Sequence, residues 1–536
     1  MNLDGKICAL ILAMLVFHVD HVLAQMSAKA ADAAKPGNGK DYAQTISAED
    51  LERHLKILSS DAYEGRETGQ QGQKKAAQYL ADYYTSLGIQ PCVEGSWFQQ
   101  FPLKRVSYIK SYADDATARY EMLKDFYFLS FDEAEMDAKN IVFVGYGIKT
   151  DKYNDYARAD VNGKTVMCLM GEPMNKKGKS IITGDDTYSD WTMDPSLKEE
   201  AARSMGAKNM IMVNMNYDAY MERVRYWLEQ APMRLDNPKH PQDEEGGLPV
   251  IFISPEMANK ILAKSGATVE KLSTRKKIKS IAIDGSLVFH VKREESKLNA
   301  ENVLCFIEGS DPILKKEVVV ISAHYDHIGI VNGQINNGAD DDGSGTVATL
   351  ELAEAFIQAK KDGHGTRRSI LILNVSGEEK GLLGSEWYSD FPVFPLDKTV
   401  CDLNIDMIGR KDPQHTDDKY VYIIGSDKLS TDLHRISEDC NKKFTQLALD
   451  YTYNDPNDPN RFYYRSDHYN FAKHNIPVIF YFSGVHEDYH KPGDDVEKIL
   501  FPKMETIAKL VFYTAWEVAN RDEKLKVDVR NDFGNE

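Results

Sequence analysis

The stretch GADDDGSG, residues 338–345, places three aspartates in a row between small residues. Adjacent carboxylates repel one another, and the flanking glycines favour neither a helix nor a strand. Such a stretch is either a solvated acidic turn or a site where a bound cation relieves the repulsion. The EF-hand spacing of a calcium loop is absent. The choice therefore depends on which other metal-binding side chains the chain brings to this turn.

Histidines and carboxylates recur at the ends of predicted strands. His324 closes VVVISAH, Glu378 and Glu379 follow ILILNVSG, Asp406 closes DLNID, and His490 lies in the loop after IPVIFYFSG. In an open α/β sheet the carboxyl ends of the strands form the edge where ligands bind, so we expect these side chains to collect there. Histidines and carboxylates without cysteine suit zinc or a similar divalent ion. Five such ligands with one shared carboxylate would hold two metals about 3.5–4 Å apart.

Neighbouring residues in two of these motifs suggest supporting roles. Asp326 lies two residues after His324, so on a continuing strand both face one side and Asp326 can accept the second ring N–H of His324. Glu378 and Glu379 are adjacent and point in different directions. One can therefore bind metal while the other stays free as a base, which a catalytic metal site needs.

Other polar residues of the same motifs are expected to play lesser parts. We expect His327 and His486 to support the ligands from behind or to lie at the surface. Asp340 and Asp342 are expected to shape the turn and not to bind metal. A single motif of this kind would be a surface feature, but five of them in order at strand ends predict a site.

The elements that must position these residues alternate along the chain. From Asn302 onward, continuous apolar strands alternate with helical segments, which is typical of a mixed, largely parallel sheet with helices on both faces. Nearer the N-terminus, SAED predicts a helix capped by Ser47. The block at 137–292 has its own strands and helices and no cluster of metal-type residues. We interpret it as an inserted domain; the alternative is that it continues one large domain.

The first residues are typical of an export signal. Lys6 precedes an apolar run at residues 7–19, and small residues at Val22 and Ala24 predict cleavage after Ala24. The run is too short to span a bilayer comfortably, although an uncleaved anchor is the alternative. No later stretch is apolar enough to span a membrane, so we expect an exported protein in the periplasm or the medium.

The predicted segments are a signal peptide at 1–24, a flexible leader at 25–44, the N-terminal part of the catalytic domain at 45–136, the insert at 137–292, the main catalytic part at 293–522 and a polar tail at 523–536.

Composition narrows the class of protein. The 536 residues carry a formal net charge of −18, which argues against a nucleic-acid partner because phosphate binding needs clustered Lys and Arg. Of the six cysteines, Cys8 lies in the signal. The remaining five are scattered and odd in number, so they predict no disulfide scaffold, although one bridge could form. The sequence gives no oligomeric state.

Taken together, the motifs resemble a known family. HYDHIG, GADDDGSG, SGEEKGLLGSEWY, LNIDMIG and YRSDHYNF with YHKPGDD are similar to the co-catalytic zinc peptidase family of secreted bacterial aminopeptidases. Glutamate carboxypeptidase and the catalytically inactive transferrin receptor are relatives of that family. The resemblance runs over about residues 302–520 and extends weakly to DAYEGRETGQQG. The block at 137–292 resembles a protease-associated domain.

The resemblance implies a role for each residue of the site. It implies the zinc aminopeptidase fold and two zinc ions, with a strained peptide bond, which could be cis, between Asp340 and Asp341. The implied roles are His324 and Asp406 on one zinc, Glu379 and His490 on the other, Asp341 bridging both, Glu378 as general base, Asp326 orienting His324, and Tyr489 polarising the substrate carbonyl.

The function expected from this resemblance is that of a secreted di-zinc aminopeptidase. It would hydrolyse peptides with a free N-terminus, using a metal-bridged hydroxide and Glu378 as the base. A carboxypeptidase or another amide hydrolase on the same fold is the first alternative, since Arg461 and Arg465 could bind a substrate carboxylate. A glutaminyl cyclase relative is less favoured, because such relatives bind one zinc. A non-catalytic, receptor-like binding protein would have no use for the unligated base Glu378.

Overall fold

The computed structural model describes residues 38–530, apart from residues 109, 116, 130–134, 230–231, 240–247, 276 and 457. The predicted signal peptide and most of the predicted leader therefore lie outside the described residues. The chain divides into two units, one built from residues up to Leu103 together with those from Leu298 onward, the other from Lys104–Lys297. The insert predicted at 137–292 lies inside the second range, which begins earlier.

The first unit alternates helices and strands. Its helices are α1 (Gly39–Ala43), α2 (Ala48–Leu58), α3 (Gln71–Ser86), α4 (Gly345–Lys361), α5 (Leu383–Asp390), α6 (Thr431–Cys440), α7 (His468–Ala472) and α8 (Phe501–Asn520). Its strands are β1 (Phe98–Tyr108), β2 (Arg293–Ile307), β3 (Val318–His324), β4 (Ile330–Val331), β5 (Gln334–Ile335), β6 (Ser369–Val375), β7 (Thr399–Ile405), β8 (Tyr420–Ile424), β9 (Ala448–Asp450) and β10 (Val478–Phe482). The predicted cap is confirmed, because the Ser47 side chain accepts a hydrogen bond from the Asp50 N–H at the start of α2.

The main strands form one mixed sheet in the order β9, β8, β10, β7, β3, β6, β2, β1. The centre is parallel, since β3 pairs in parallel with both β6 and β7, and β7 with β10. The pairs β2–β6 and β8–β10 are antiparallel. The predicted mixed, largely parallel sheet is therefore confirmed. Its parallel strands end at a common edge, and the site forms at that edge.

Helices cover both faces of this sheet because the central strands are apolar on both sides. Val319 and Ile321 of β3 face one core, which also contains apolar residues of α2, α3, α4 and α8. Val318 and Val320 of the same strand face the other core, to which Tyr388 of α5 and Phe471 of α7 contribute. This two-sided burial explains the continuous apolar runs in the sequence.

The second unit has a sheet of its own. Its strands follow the order Arg119–Glu121, Tyr112–Asp114, Ile281–His290, Glu135–Phe143, Thr165–Leu169, Asn209–Val213, Val250–Ile253 and Phe126–Tyr127. The four from Glu135–Phe143 to Val250–Ile253 are parallel neighbours. Its helices are Asp190–Met193, Ser196–Ser204, Tyr217–Glu229, Pro255–Leu262 and Val269–Ser273, and a short strand lies at Met233–Leu235.

Two further features concern the described residues as a whole. None of the helices described is both long enough and apolar enough to cross a membrane. The cysteines after Cys8 are all unpaired: Cys92, Cys168, Cys305, Cys401 and Cys440. The single bridge that the sequence allowed does not form among them.

Candidate metal centre

The parallel register brings the predicted ligands to one edge. His324, the last residue of β3, lies opposite Val375, the last residue of β6. Two residues beyond Val375, Gly377 has a positive φ of 80° and turns the chain into the short 3-10 helix Glu378–Lys380. Asp406 follows β7, which pairs with β3 on its other side.

The three-aspartate turn is held from two sides. The Asp494 carboxylate accepts hydrogen bonds from the backbone N–H groups of Asp340 and Asp341, each at 3.1 Å. The buried Arg66 guanidinium donates to the carbonyls of Asn337 and Gly338 at 2.7 and 2.8 Å. The turn contains a cis peptide bond between Asp341 and Asp342, one bond later than the resemblance implied.

Asp341 faces a different group with each carboxylate oxygen. Its Oδ1 lies 3.5 Å from Nε2 of His324, and the same nitrogen lies 3.7 Å from Oδ1 of Asp406. Its Oδ2 lies 3.0 Å from Nε2 of His490, which in turn lies 3.1 Å from Oε2 of Glu379. The structure thus brings the predicted ligands together as two adjacent groups that share Asp341.

The donor set fits divalent metal ions. Oδ2 of Asp341 and Oε1 of Glu379 are buried and receive no hydrogen bond among the described residues. Buried carboxylates without such partners are costly, and a dication would offset that cost. His324, Asp341 and Asp406 can offer ligand atoms that all lie within 4.8 Å of one another. Imidazole nitrogens with carboxylate oxygens are the ligands that zinc takes in catalytic sites.

Glu378 and Glu379 meet different surroundings. Oε2 of Glu378 lies 3.9 Å from Nε2 of His324, and the side chain is 12% exposed. Burial raises the pKa of Glu378 well above its usual value, and the neighbouring Glu379 and Asp406 add to the rise. Burial acts in the same direction on Glu379, but the adjacent imidazoles of His490 and His327 outweigh it and lower the pKa of Glu379 to about 2. When two neighbouring acids have pKa values that differ in this way, one typically stays ionised while the other exchanges a proton.

Asp326 supports His324, but not through the atom expected. Nδ1 of His324 lies 3.1 Å from the main-chain oxygen of Asp326 and 3.8 Å from its carboxylate. The carboxylate instead accepts a hydrogen bond from the Thr68 hydroxyl at 2.7 Å and one from the Glu378 N–H at 3.4 Å. Asp326 therefore joins the loop after β3 to the loop that carries Glu378.

Tyr489 lines a cavity beside the candidate metal ligands. Its ring stacks on that of His490, with the centroids 3.8 Å apart. Burial raises its pKa well above the usual value, so the phenol keeps its proton and can donate a hydrogen bond. It shares this cavity with four of the predicted site residues and several apolar side chains. The full lining is His324, Asp341, Glu378, Asp406, Met407, Phe462, Arg465, Phe480, Phe482, Val485 and Tyr489.

Asp340, Asp342 and His486, which were expected to play supporting parts, lie beside the candidate ligands. Asp342 accepts hydrogen bonds from the N–H groups of Gly345 and Met407, and Asp340 from that of Gly409. Both thus shape the turn. Nε2 of His486 lies 3.4 Å from Oδ2 of Asp340, outside the two groups.

His327, which was expected behind the ligands or at the surface, is fully buried, with Nδ1 2.8 Å from Oε1 of Glu379. Three other residues of the site escaped the sequence reasoning. Arg66 and Thr68 come from DAYEGRETGQQG, a motif noticed only as part of the resemblance. Asp494 lies in YHKPGDD, where two aspartates followed the predicted ligand.

Comparison with known proteins relates part of the chain to a described family. Residues 302–515 match the model of a family described as Peptidase family M28, so the resemblance predicted from the motifs is confirmed over that range. A probable leucine aminopeptidase of Trichophyton verrucosum is 32% identical over 217 residues, which cover 39% of this chain and 56% of that protein. Aminopeptidase YwaD of Bacillus subtilis is 25% identical over 256 residues, which cover 45% of this chain and 51% of that protein. The chain therefore spans about half the length of the curated relatives it matches.

The fold also has a solved counterpart. The aminopeptidase from Aneurinibacillus sp. strain AM-1 superimposes with a TM-score of 0.56 at 19% identity, covering 92% of this chain and 99% of that one. At this identity the likeness concerns the fold alone.

Proposed function

We propose that the protein is a di-zinc aminopeptidase that removes N-terminal residues from peptides. The observation that carries the proposal is Asp341, whose two oxygens face separate histidine–carboxylate groups beside the unligated acid Glu378. The family match and the aminopeptidases among the relatives support the same class of reaction.

Each residue then has a part in peptide hydrolysis. His324 and Asp406 would hold one metal, His490 and Glu379 the other, and Asp341 both. When bound, the metals acidify a water molecule and polarise the scissile carbonyl. Glu378 accepts a proton from the attacking water at its carboxylate and later delivers it to the leaving amine.

Two more groups would act around the reacting carbonyl. The Tyr489 hydroxyl donates a hydrogen bond to the carbonyl oxygen as negative charge develops on it. Asp326 fixes the imidazole of His324 through its main-chain oxygen. The aromatic walls formed by Phe462, Phe480 and Phe482 favour an apolar side chain on the residue released.

The setting of the enzyme is part of the proposal. The signal-like residues 1–24 support export, and residues 137–292 are proposed to be a protease-associated insert. Nucleic acid is not proposed as a partner, because the full chain carries a net charge of −18. A membrane is not proposed as a partner of the mature chain, because no stretch after the signal is apolar enough to span one.

A carboxypeptidase is the second candidate, and Arg465 is the observation that favours it. Arg465 lines the cavity, its guanidinium lies 4.8 Å from the ring centroid of Phe462, and it forms no ion pair among the described residues. A substrate carboxylate could pair with it. Arg461 is not among the residues that line this cavity.

A substrate set separates the two candidates. We expect Leu-p-nitroanilide to be cleaved at least about 100-fold faster than its N-acetyl derivative, because the aminopeptidase holds a free amine. An N-acetylated peptide with a free carboxyl terminus should resist cleavage as well. Equal cleavage of the free and acetylated anilides would exclude the aminopeptidase, and rapid trimming of the N-acetylated peptide would establish the carboxypeptidase.

A further inference from the structure

His327 lies inside the candidate metal centre without a hydrogen bond to its ring. Its side chain is fully buried, and neither ring nitrogen forms a hydrogen bond within the part of the chain that the structure describes. Its Nδ1 lies 2.8 Å from Oε1 of Glu379 and 3.8 Å from Oδ2 of Asp341. A buried imidazole without partners is costly, so the position calls for an explanation.

The short contact with Glu379 is not aligned as a hydrogen bond. Nδ1 of His327 and Oε1 of Glu379 are within hydrogen-bond distance, yet both atoms lack a hydrogen bond. Two ligands of one tetrahedral zinc ion, each about 2.0–2.2 Å from it, lie about 3.3–3.6 Å apart while both point at the ion. At 2.8 Å the contact is shorter than that, but it is close to the 3.0 and 3.1 Å that separate Nε2 of His490 from Asp341 and Glu379, and like a pair of ligands it lacks hydrogen-bond alignment. Indeed His327, Asp341 and Glu379 can offer ligand atoms within 4.8 Å of one another.

The backbone and the turn fix the ring in this place. The N–H of His327 donates to the carbonyl of Arg66 at 3.2 Å. The ring lies against Gly338, where a Cβ atom would come 2.5 Å from Cγ and Cδ2 of His327. Only glycine at this position lets the imidazole lie on the turn that carries Asp341. The placement of His327 is therefore coupled to that of the bridging carboxylate.

We propose that Nδ1 of His327 is a further ligand of the metal held by Glu379 and His490. This inference rests on the proposed two-metal site. It makes the two positions unequal, because one has four protein ligands (His327, Asp341, Glu379 and His490) and the other three (His324, Asp341 and Asp406). Four protein ligands are typical of a closed zinc site, and three of one with an open position. The four-ligand position therefore binds zinc more tightly, and the three-ligand position is the one that opens toward substrate.

Zinc binding to the full chain tests this directly. The chain is stripped with a chelator and equilibrated against buffers of fixed free zinc, and bound zinc is measured by mass spectrometry. We expect two binding steps in the wild type. In His327→Ala, the dissociation constant of the tighter step should rise more than about 100-fold, beyond the roughly 10- to 100-fold cost of losing a group that only orients a ligand.

A second variant separates a ligand from a hydrogen-bond donor. In His327→Asn the amide N–H lies near the former Nδ1, so a group that merely orients Glu379 would be replaced, whereas a zinc ligand would be lost. We expect the tighter step to weaken more than about 100-fold in this variant too. A smaller change in either variant overturns the inference. His468→Asn removes another buried imidazole whose ring forms no hydrogen bond among the described residues, and this variant should bind zinc as the wild type does.

A measurement on the wild type guards against misfolded variants. X-ray absorption of the zinc-loaded chain counts the coordinated imidazoles, and we expect the three of His324, His327 and His490. Two imidazoles would overturn the inference while leaving the proposed function intact. A chain that binds no pair of zinc ions would overturn both.

Discussion

Glu378 and Glu379 are neighbours whose carboxylates meet opposite surroundings. Glu379 lies against the imidazoles of His490 and His327, which lower its pKa to about 2 despite burial. Glu378 lies 3.9 Å from the imidazole of His324, which lowers its pKa, but burial together with Glu379 and Asp406 outweighs that effect and raises the pKa well above its usual value. One side chain is thus suited to remain an ionised ligand, and the other to take up and release a proton.

The variant Glu378→Gln tests this division of roles. It keeps the shape of the side chain but removes the proton acceptor, so the rate should fall about 10²–10⁴-fold or more while zinc content stays unchanged. Turnover of Leu-p-nitroanilide and bound zinc are measured on the same preparation. An undiminished rate would remove Glu378 from the mechanism, and a loss of zinc would make it a ligand.

At the residue scale, the positions of site residues could be predicted from the sequence better than their contacts. His324 and Asp406 could be placed because the end of a parallel strand is visible in the chain itself. The burial of His327 could not, since it depends on how its ring packs against Gly338. The acceptor for His324 was mistaken for the Asp326 carboxylate, because backbone direction after a strand is not encoded in residue spacing.

At the scale of elements, the 3-10 helix Asp61–Arg66 ties the site loops together. The Arg66 guanidinium donates to four carbonyls, those of Leu58, Tyr325, Asn337 and Gly338. It is fully buried, and four separate acceptors use the fork of donors that only arginine has. The element therefore holds the loop after β3 and the start of the aspartate turn in one arrangement.

Arg66→Lys should loosen that arrangement while keeping the charge. An ammonium group cannot reach four dispersed carbonyls, so we expect zinc affinity to fall roughly 10- to 100-fold, as for other groups that support ligands. Dissociation constants from zinc-buffer titration provide the measurement. Arg53→Lys is the control, because Arg53 is half exposed and, among the residues that the structure describes, forms an ion pair with Asp50 alone. If Arg66→Lys bound zinc with wild-type affinity, the three-aspartate turn would keep its conformation without the arginine.

The contact between α2 and α4 buries an ionisable pair. Nε2 of His54 lies 3.8 Å from Oε1 of Glu351, and both side chains are almost fully buried. Burial, with Asp50 and Glu354 nearby, raises the pKa of Glu351 to about 8. Burial lowers the pKa of His54 to about 4, and the positive Arg53 lowers it further. Both groups are therefore neutral in the folded protein near neutral pH.

Glu351 should make stability depend on pH, and Glu351→Gln should remove that dependence. Its pKa is higher folded than unfolded, so its stabilising contribution is complete below about pH 4.5 and is lost as the pH rises through 8. Between pH 6.5 and 7.5 the variant should gain about 1.4 kcal/mol per pH unit over the wild type. His54 of the unfolded chain also titrates in this window, but it does so in both chains and cancels from the difference. Denaturant unfolding at several pH values measures the difference. If the free energies of unfolding of the wild type and Glu351→Gln changed with pH in parallel, Glu351 would be ionised in the folded state.

At the scale of the whole molecule, the sequence pattern predicted the type of sheet more readily than the order and direction of its outer strands. Apolar strands alternating with helices predicted a mixed, largely parallel sheet, and the central strands β3, β6, β7 and β10 are arranged that way. The antiparallel partners of β6 and β10 could not be derived, since strand direction at the sheet margins depends on long connections. The chain passes into its second unit at Lys104, within β1, where no composition change marks a boundary.

The proposed reaction requires that two metals and one buried base, Glu378, act together at the strand ends. Metal removal tests this most directly, with Leu-p-nitroanilide turnover followed as zinc is returned to the chelator-treated chain. We predict that the stripped chain is inactive and that activity is restored only as bound zinc approaches two ions per chain. Full turnover by the stripped chain would contradict the proposed two-metal reaction. So would full activity with no zinc bound to the two histidine–carboxylate groups that share Asp341.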